Sequence, residues 1–254
     1  RLKGFSRAFW TANIVELLER AAYYGVFIVI TLYLSRILGF SDVEAGLISG
    51  VFSGGLFLLP TFTGALADKI GFKYSLLIAF SLLSIGYFGL AVIPTFLESS
   101  GLVDYSNNEI KFTGLLESAQ QWAIVPIMII IMIGGSFIKS VITGTVAKET
   151  TEATRAQGFS IFYMMVNIGA FSGKTIVKPL RMEMGDMGLV YINYFSAALT
   201  AIALIMIIFF YKSSKHEGEG KTLSEIWTAL IKVCTNGRLI TLILIPFGIV
   251  FKLS

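Results

Sequence analysis

The chain has 254 residues, of which 55% are hydrophobic and 14% charged, with a formal net charge of +4. A soluble domain carries about 25% charged residues, so this composition, with a mean hydropathy of +0.78, excludes an ordinary soluble protein and gives no reason to expect a nucleic-acid partner. Apolar runs of about 20 residues or more recur along the whole length, which specifies an all-α integral membrane protein in the lipid bilayer rather than a β-barrel. The single cysteine, Cys234, excludes an internal disulfide and a cysteine-based metal site. The lone His216 falls in a polar linker as a solvated residue. No metal site and no cofactor are expected.

Arg1, Lys3 and Arg7 precede the first apolar run, at residues 9–37, which is long enough to span and remain uncleaved. Further spans follow at 45–67, 74–96, 120–146, 157–178 and 188–211. The connections 39–44, 68–73 and 148–155 are short and polar, and the longest, 98–118, carries four acidic residues and one lysine. With the N-terminus inside, twelve basic residues face the cytoplasm: Arg1, Lys3, Arg7, Lys69, Lys73, Lys148, Arg155, Lys212, Lys215, Lys221, Lys232 and Arg238. Four lie in outer loops: Arg36, Lys111, Lys178 and Arg181. The positive-inside rule therefore puts the N-terminus in the cytoplasm, and short loops suit a bacterial inner membrane.

Residues 1–211 form a six-span unit. Residues 212–238 read as a cytoplasmic linker, in which Leu223, Ile226, Trp227, Leu230 and Cys234 recur at the spacing of an amphipathic helix. Residues 239–254 read as the start of a seventh transmembrane helix. The whole is expected to be the first half, with its linker, of a longer protein.

Charge inside the spans is concentrated in Glu16-Leu-Leu-Glu19-Arg20-Ala-Ala-Tyr23-Tyr24-Gly25. Glu16, Glu19, Arg20 and Tyr23 are three or four residues apart and share one helix face. Each charge at the centre of a span costs about 2.5–3.5 kcal/mol on insertion scales, so three together point to function. Lys139 falls at a matching depth on the fourth span by helical rise, and two glutamates with two cations are expected to neutralise one another inside the bundle. Such carboxylates are candidate proton sites, because proton affinity depends on burial and on the distance of the cations. Tyr163 and Asn167 share a face of the fifth span, and Lys174 lies nearer its outer end. Gly46, Gly50 and Gly54 on the second span, and Gly169 and Gly173 on the fifth, lie four apart and predict close helix contacts.

Four stretches carry a resemblance to a known family. They are Glu16-x-x-Glu19-Arg20-x-x-Tyr23-Tyr24-Gly25, Gly64-Ala-Leu-Ala-Asp68-Lys69-Ile-Gly71-Phe-Lys73, Gly134-Gly-Ser-Phe-Ile-Lys139-Ser and Gly158-Phe-Ser-Ile-Phe-Tyr163-Met-Met-Val-Asn167-Ile-Gly169. In this order and at these separations they resemble the proton-coupled oligopeptide transporters of the major facilitator superfamily. The resemblance implies an N-terminal bundle of two inverted three-helix repeats, to be completed by a C-terminal six-helix bundle from the rest of the chain. It implies proton coupling at Glu16, Glu19, Arg20 and Lys139. It also implies cavity positions at Tyr23, Tyr24 and Asn167, and a gating loop at Gly64, Asp68, Lys69, Gly71 and Lys73.

Three positions depart from the family pattern. Phe27 stands where peptide-carrying members typically have an arginine, Phe57 where a cavity tyrosine aligns, and Ser140 where a proline follows the fourth-helix lysine. Tyr163 and Lys174 join Tyr23, Tyr24, Phe27, Phe57 and Asn167 as candidate substrate contacts, Lys174 as a replacement anion contact. The leading expectation is a symporter of small peptides or a related polar solute, driven by a proton gradient. The alternatives are an exporter of drugs or lipophilic metabolites and a non-transporting receptor of the same fold. An enzyme is not expected, since no phosphate-cradling glycine loop, metal-ligand pair or nucleophile–base set is found.

Overall fold

A computed structural model describes residues 4–106, 110–212 and Thr228. The expected linker helix and seventh span fall, apart from Lys212 and Thr228, outside these residues. The chain opens with helix α1 (Arg7–Phe27), capped by the Ser6 hydroxyl, which accepts the Phe9 amide at 3.1 Å. It is followed by α2 (Ile30–Leu32) and a wide-turned segment, Tyr33–Ile37. The two parts meet at 46°. At the break the Val29 amide reaches back only three residues, to the Val26 carbonyl (3.1 Å), and further on the Leu38 amide reaches back five, to Tyr33 (3.3 Å). A tightened turn followed by a widened one bends the helix without a proline.

The second span is α3 (Asp42–Leu58) and α4 (Pro60–Ile70), bent by 45°. Pro60 supplies the cause, since its ring nitrogen donates no hydrogen bond and its ring displaces the preceding turn. Ser41 and Glu44 cap the start of α3 reciprocally. One residue, Gly71, joins α4 to α5 (Phe72–Ser99). Its φ of +91° is open to glycine and costly for other residues. The expected polar loop at 68–73 is thereby reduced to a hinge, because Asp68 and Lys69 complete the last turn of α4 and Lys73 begins α5.

Within the long connection 98–118, between α5 and the fourth span, lies a small antiparallel ribbon, β1 (Val103–Asp104) with β2 (Lys111–Phe112), which the sequence did not announce. It covers the open end of the first span. Tyr105 donates its hydroxyl to the Ile37 carbonyl (2.7 Å), and the Gln121 amide donates to Leu38 (2.8 Å). Two carbonyls that a helix C-terminus leaves without partners are satisfied in this way. Helices α6 (Ile124–Lys148), α7 (Arg155–Met184) and α8 (Gly188–Phe210) complete the bundle.

Phe72–Ser99 and Ala119–Lys148 are long and apolar enough to cross a membrane, and so is each bent pair taken as one span. The stretch Arg155–Phe210 is likewise long and apolar enough. As one helix its 56 residues would extend about 84 Å, far beyond a hydrocarbon core of about 30 Å, and it folds back at Gly185–Met187 into two crossings. The contacts prove the reversal. Ala21 meets Gly173 and Leu17 meets Gly169, so α1 and α7 run side by side in the same direction. Ser196 on α8 donates to the Ala22 carbonyl (3.0 Å), while Arg7 lies over the Phe210 ring (5.2 Å), so α8 runs the other way. Spans one, three and five start from one face of the bundle, and spans two, four and six start from the other. The first three spans and the last three therefore run in opposite senses, the polarity that the two inverted repeats implied by the resemblance require.

Two sequence expectations are corrected. Gly46, Gly50 and Gly54 meet nothing: a Cβ at any of them finds no described atom within 4 Å. They lie on the face of α3 turned away from its described neighbours, since the same stretch meets α2 through Ser49 and Thr31 (3.2 Å) and α6 beside Phe52. Lys178 and Arg181 are not loop residues, because α7 continues to Met184 with Pro179 inside it.

Candidate functional site

A cavity of about 330 Å³ opens between α1, the bend of α3 and α4, α5, α6 and α7. On α1, helical spacing brings Arg20 back onto Glu16, with Nε to Oε1 at 3.2 Å. The same Nε donates to Glu19 Oε2 at 2.5 Å, and a terminal guanidinium nitrogen pairs with Glu19 as well. Arg20 also lies over the Tyr23 ring, 5.2 Å from its centroid. Both glutamates are buried, at 3% and 1% exposure. Glu16 Oε2 is buried and has no hydrogen-bond partner among the described residues. One helical turn thus holds two carboxylates and one guanidinium away from water, an excess of one negative charge if both are ionised.

Lys139 lines the same cavity from α6. The sequence predicted a buried group of four mutually neutralising charges, and the structure assembles three. Lys139 is exposed to the opening and makes no ion pair among the described residues. A flexible ammonium facing a fixed carboxylate pair is free to approach it or withdraw.

The aromatic wall is formed by Tyr23, Tyr24, Phe57, Tyr87, Phe162 and Tyr163. Phe57 is the most open of these, at 80% exposure. Phe27 does not reach the cavity. It stacks on Tyr23 (centroids 5.1 Å apart, 12° between planes) and lines a small apolar void with Phe52 and Tyr87. Asn167 is exposed on α7 but is not among the lining residues; α7 meets the cavity through Phe162, Tyr163 and Val166. Lys174 belongs to a separate cavity, with its ammonium over the Tyr24 ring at 4.9 Å. Two glycines on α7 account for the offset, since Gly169 and Gly173 draw this helix against the backbone of α1 at Leu17 and Ala21.

Tyr87 and Thr143 are cavity residues that sequence reasoning missed. A tyrosine within an apolar span was the available signal for the first. The spans also hold Asn13 and Asn193, both buried, in addition to the four polar residues singled out from sequence. The loop residues are spread apart. Gly64 packs closely on Ser140 of α6, Gly71 is the hinge, Asp68 and Lys69 are exposed, and Lys73 is half-buried.

Six crossings among the described residues, in two sets of three that run in opposite senses with charged groups buried where the spans meet, match the N-terminal bundle of the family the sequence resembles. The chain belongs to the major facilitator superfamily, which it matches over residues 12–253. Its relatives include the peptide transporter YePEPT of Yersinia enterocolitica, 27% identical over 61% of this chain and 28% of that protein. Solute carrier family 15 member 1 of Homo sapiens is 24% identical over 85% of this chain and 31% of that protein. Among solved structures, a peptide transporter POT in complex with sulfate superposes with a TM-score of 0.67 and 21% identity, over 95% of this chain and 47% of that one. At that identity the likeness speaks to the fold. The chain spans about a third of the length of these curated relatives and just under half of that solved transporter. The resemblance to the N-terminal half of the oligopeptide transporters is upheld by both comparisons, and the protein is a multi-pass integral membrane protein.

Proposed function

We propose that this chain is the N-terminal half of a proton-driven symporter that moves small peptides, or closely related zwitterionic solutes, by alternating access. The observation that carries the reading is the buried Glu16–Arg20–Glu19 cluster, open to a cavity that also holds Lys139, which makes no ion pair among the described residues. A carboxylate with a vacant buried oxygen accepts a proton at low structural cost. Once it is neutral, its hold on Arg20 and its attraction for Lys139 both weaken, and this links protonation to the position of the fourth span. The proton gradient supplies the energy, and no cofactor is invoked. The names of the relatives, peptide transporters and dipeptide and tripeptide permeases, support the choice of cargo.

In this reading Tyr23, Tyr24, Phe57 and Tyr163 form this half's wall of the substrate site, with Phe27 fixing Tyr23 from behind. The second bundle supplies the other wall. Gly64, Asp68, Lys69, Gly71 and Lys73 latch the two bundles on the cytoplasmic side, the side to which the basic residues assign the N-terminus. Residues 1–211 act as one bundle, 212–238 as the cytoplasmic connection and 239–254 as the entry into the second bundle. The membrane is a bacterial inner membrane.

The test is uptake of a labelled dipeptide into proteoliposomes of the full-length protein, with a proton gradient imposed or omitted. Accumulation above equilibrium only with the gradient is expected. Equal accumulation in both conditions removes the proton from the mechanism, and no accumulation by folded protein removes the peptide.

A further inference from the structure

The second cavity, at the opposite end of the bundle from Arg7, shares no lining residue with the charged cavity. It encloses about 490 Å³ between the break in the first span, at Ile28 and Val29, and the last turns of α7. Lys174, Lys178 and Arg181 follow one another at intervals of four and three residues, so helical geometry lines all three along one face of α7. Like charges at this spacing repel. The carboxylate within reach is Asp186, and it is shared between two cations. Arg36 approaches one oxygen at 3.4 Å and Arg181 the other at 3.6 Å. Both contacts are long, and neither satisfies Arg181 Nε, which is buried and has no hydrogen-bond partner among the described residues. Lys174 and Lys178 make no ion pair among the described residues, and Lys174 rests its ammonium on the Tyr24 ring. The rest of the lining is largely apolar, Ile28 and Val29 from the first span and Val177 and Met182 from α7.

We propose that this cavity is a binding site for the phosphate group of an anion, held by Lys174, Lys178 and Arg181. Three cations face one divided carboxylate, so an oxyanion relieves their repulsion and supplies the acceptor that Arg181 Nε lacks. A guanidinium fork with two mobile ammoniums suits a tetrahedral group with several acceptor oxygens. The apolar lining accommodates an acyl or other hydrocarbon portion. A phospholipid headgroup and a soluble phosphate present the same chemistry here, and the test separates them. This site does not depend on the transport reading.

The experiment uses the full-length protein in nanodiscs of neutral lipid. Inorganic phosphate is titrated at constant ionic strength with chloride as the control, and thermal unfolding is the readout. A parallel sample contains phosphatidylglycerol and no phosphate. Stabilisation by phosphate over chloride identifies a soluble anion, and stabilisation by phosphatidylglycerol alone identifies a lipid headgroup. Both effects should weaken roughly tenfold in apparent affinity in Lys178→Gln/Arg181→Gln. Should the double variant fail to fold, Lys178→Gln alone carries the comparison, since that side chain is exposed. If neither phosphate nor phosphatidylglycerol stabilises the wild type, or if the variant responds as the wild type does, the site is no phosphate site.

Discussion

Gly169 of α7 lies directly against the backbone carbonyl of Leu17 on α1, with no room for a Cβ between them. One turn on, Gly173 meets Ala21 in the same way. This contact sets the distance between the helix that carries Glu16, Glu19 and Arg20 and the helix that carries Tyr163.

Gly169→Ala and Gly173→Ala should therefore each destabilise the bundle, because the obstacle is backbone and no rotamer change relieves it. The expected cost is about 1–3 kcal/mol each, in the range for overpacked interiors. Thermal unfolding of the purified protein measures it, and an unchanged midpoint for both variants would show that α1 and α7 do not meet here.

Removing Arg20 should cost more than removing the whole cluster. Arg20→Met strips the cation from two buried carboxylates, a loss of about 3–5 kcal/mol by the precedent of broken buried pairs. Replacing Glu16 and Glu19 by glutamine in the same protein should recover most of that loss. Thermal unfolding of the single and triple variants tests the order. A triple variant less stable than Arg20→Met would refute it.

Glu19→Gln and Lys139→Ala should separate coupling from passage. Each is expected to abolish gradient-driven accumulation while leaving exchange of internal for external substrate at least partly active. Proteoliposome assays in the two modes provide the measurement. Normal accumulation in both variants would sink the proposed proton step.

Tyr105→Phe deletes one hydroxyl, the one donated to Ile37, and should cost about 0.5–1.5 kcal/mol. Burial, with the nearby Glu98 charge, pushes the Tyr105 hydroxyl above the usual tyrosine range. Its stabilisation is therefore complete below the unfolded tyrosine value of about 10 and is lost only as pH rises through the higher folded value. The difference in stability between wild type and variant should be flat from roughly pH 5 to 9. A difference that varies across that interval would contradict the bond.

The bent spans show how far the sequence reaches and where it stops. Pro60 announces the 45° bend of the second span, because a missing amide hydrogen is a local property. The 46° bend at Ile28 and Val29 has no such marker, and it is stabilised from a distance, by the Tyr33 hydroxyl on the Leu90 carbonyl at 2.5 Å. The ribbon at 103–112 was equally hidden, since two-residue strands leave no alternation to read.

The sequence by itself determined that the chain lies in a membrane, where its six crossings run, and that Glu16, Glu19, Arg20 and Tyr23 share one face. These follow from hydropathy and from the 3.6-residue period, which act within a single helix. It also carried Lys139 to the level of the cluster, with which it lines one cavity, because helical rise is constant. Only the tertiary structure decided that Lys139 stays apart from the three-charge cluster, that Phe27 backs Tyr23 instead of lining the cavity, and that Lys174 belongs to a second cavity. Those outcomes depend on how far each helix is turned and how closely it approaches its neighbours. In this bundle the glycines of α7 and the backbone of α1 set that approach, and spacing along one strand of sequence does not encode a contact between two.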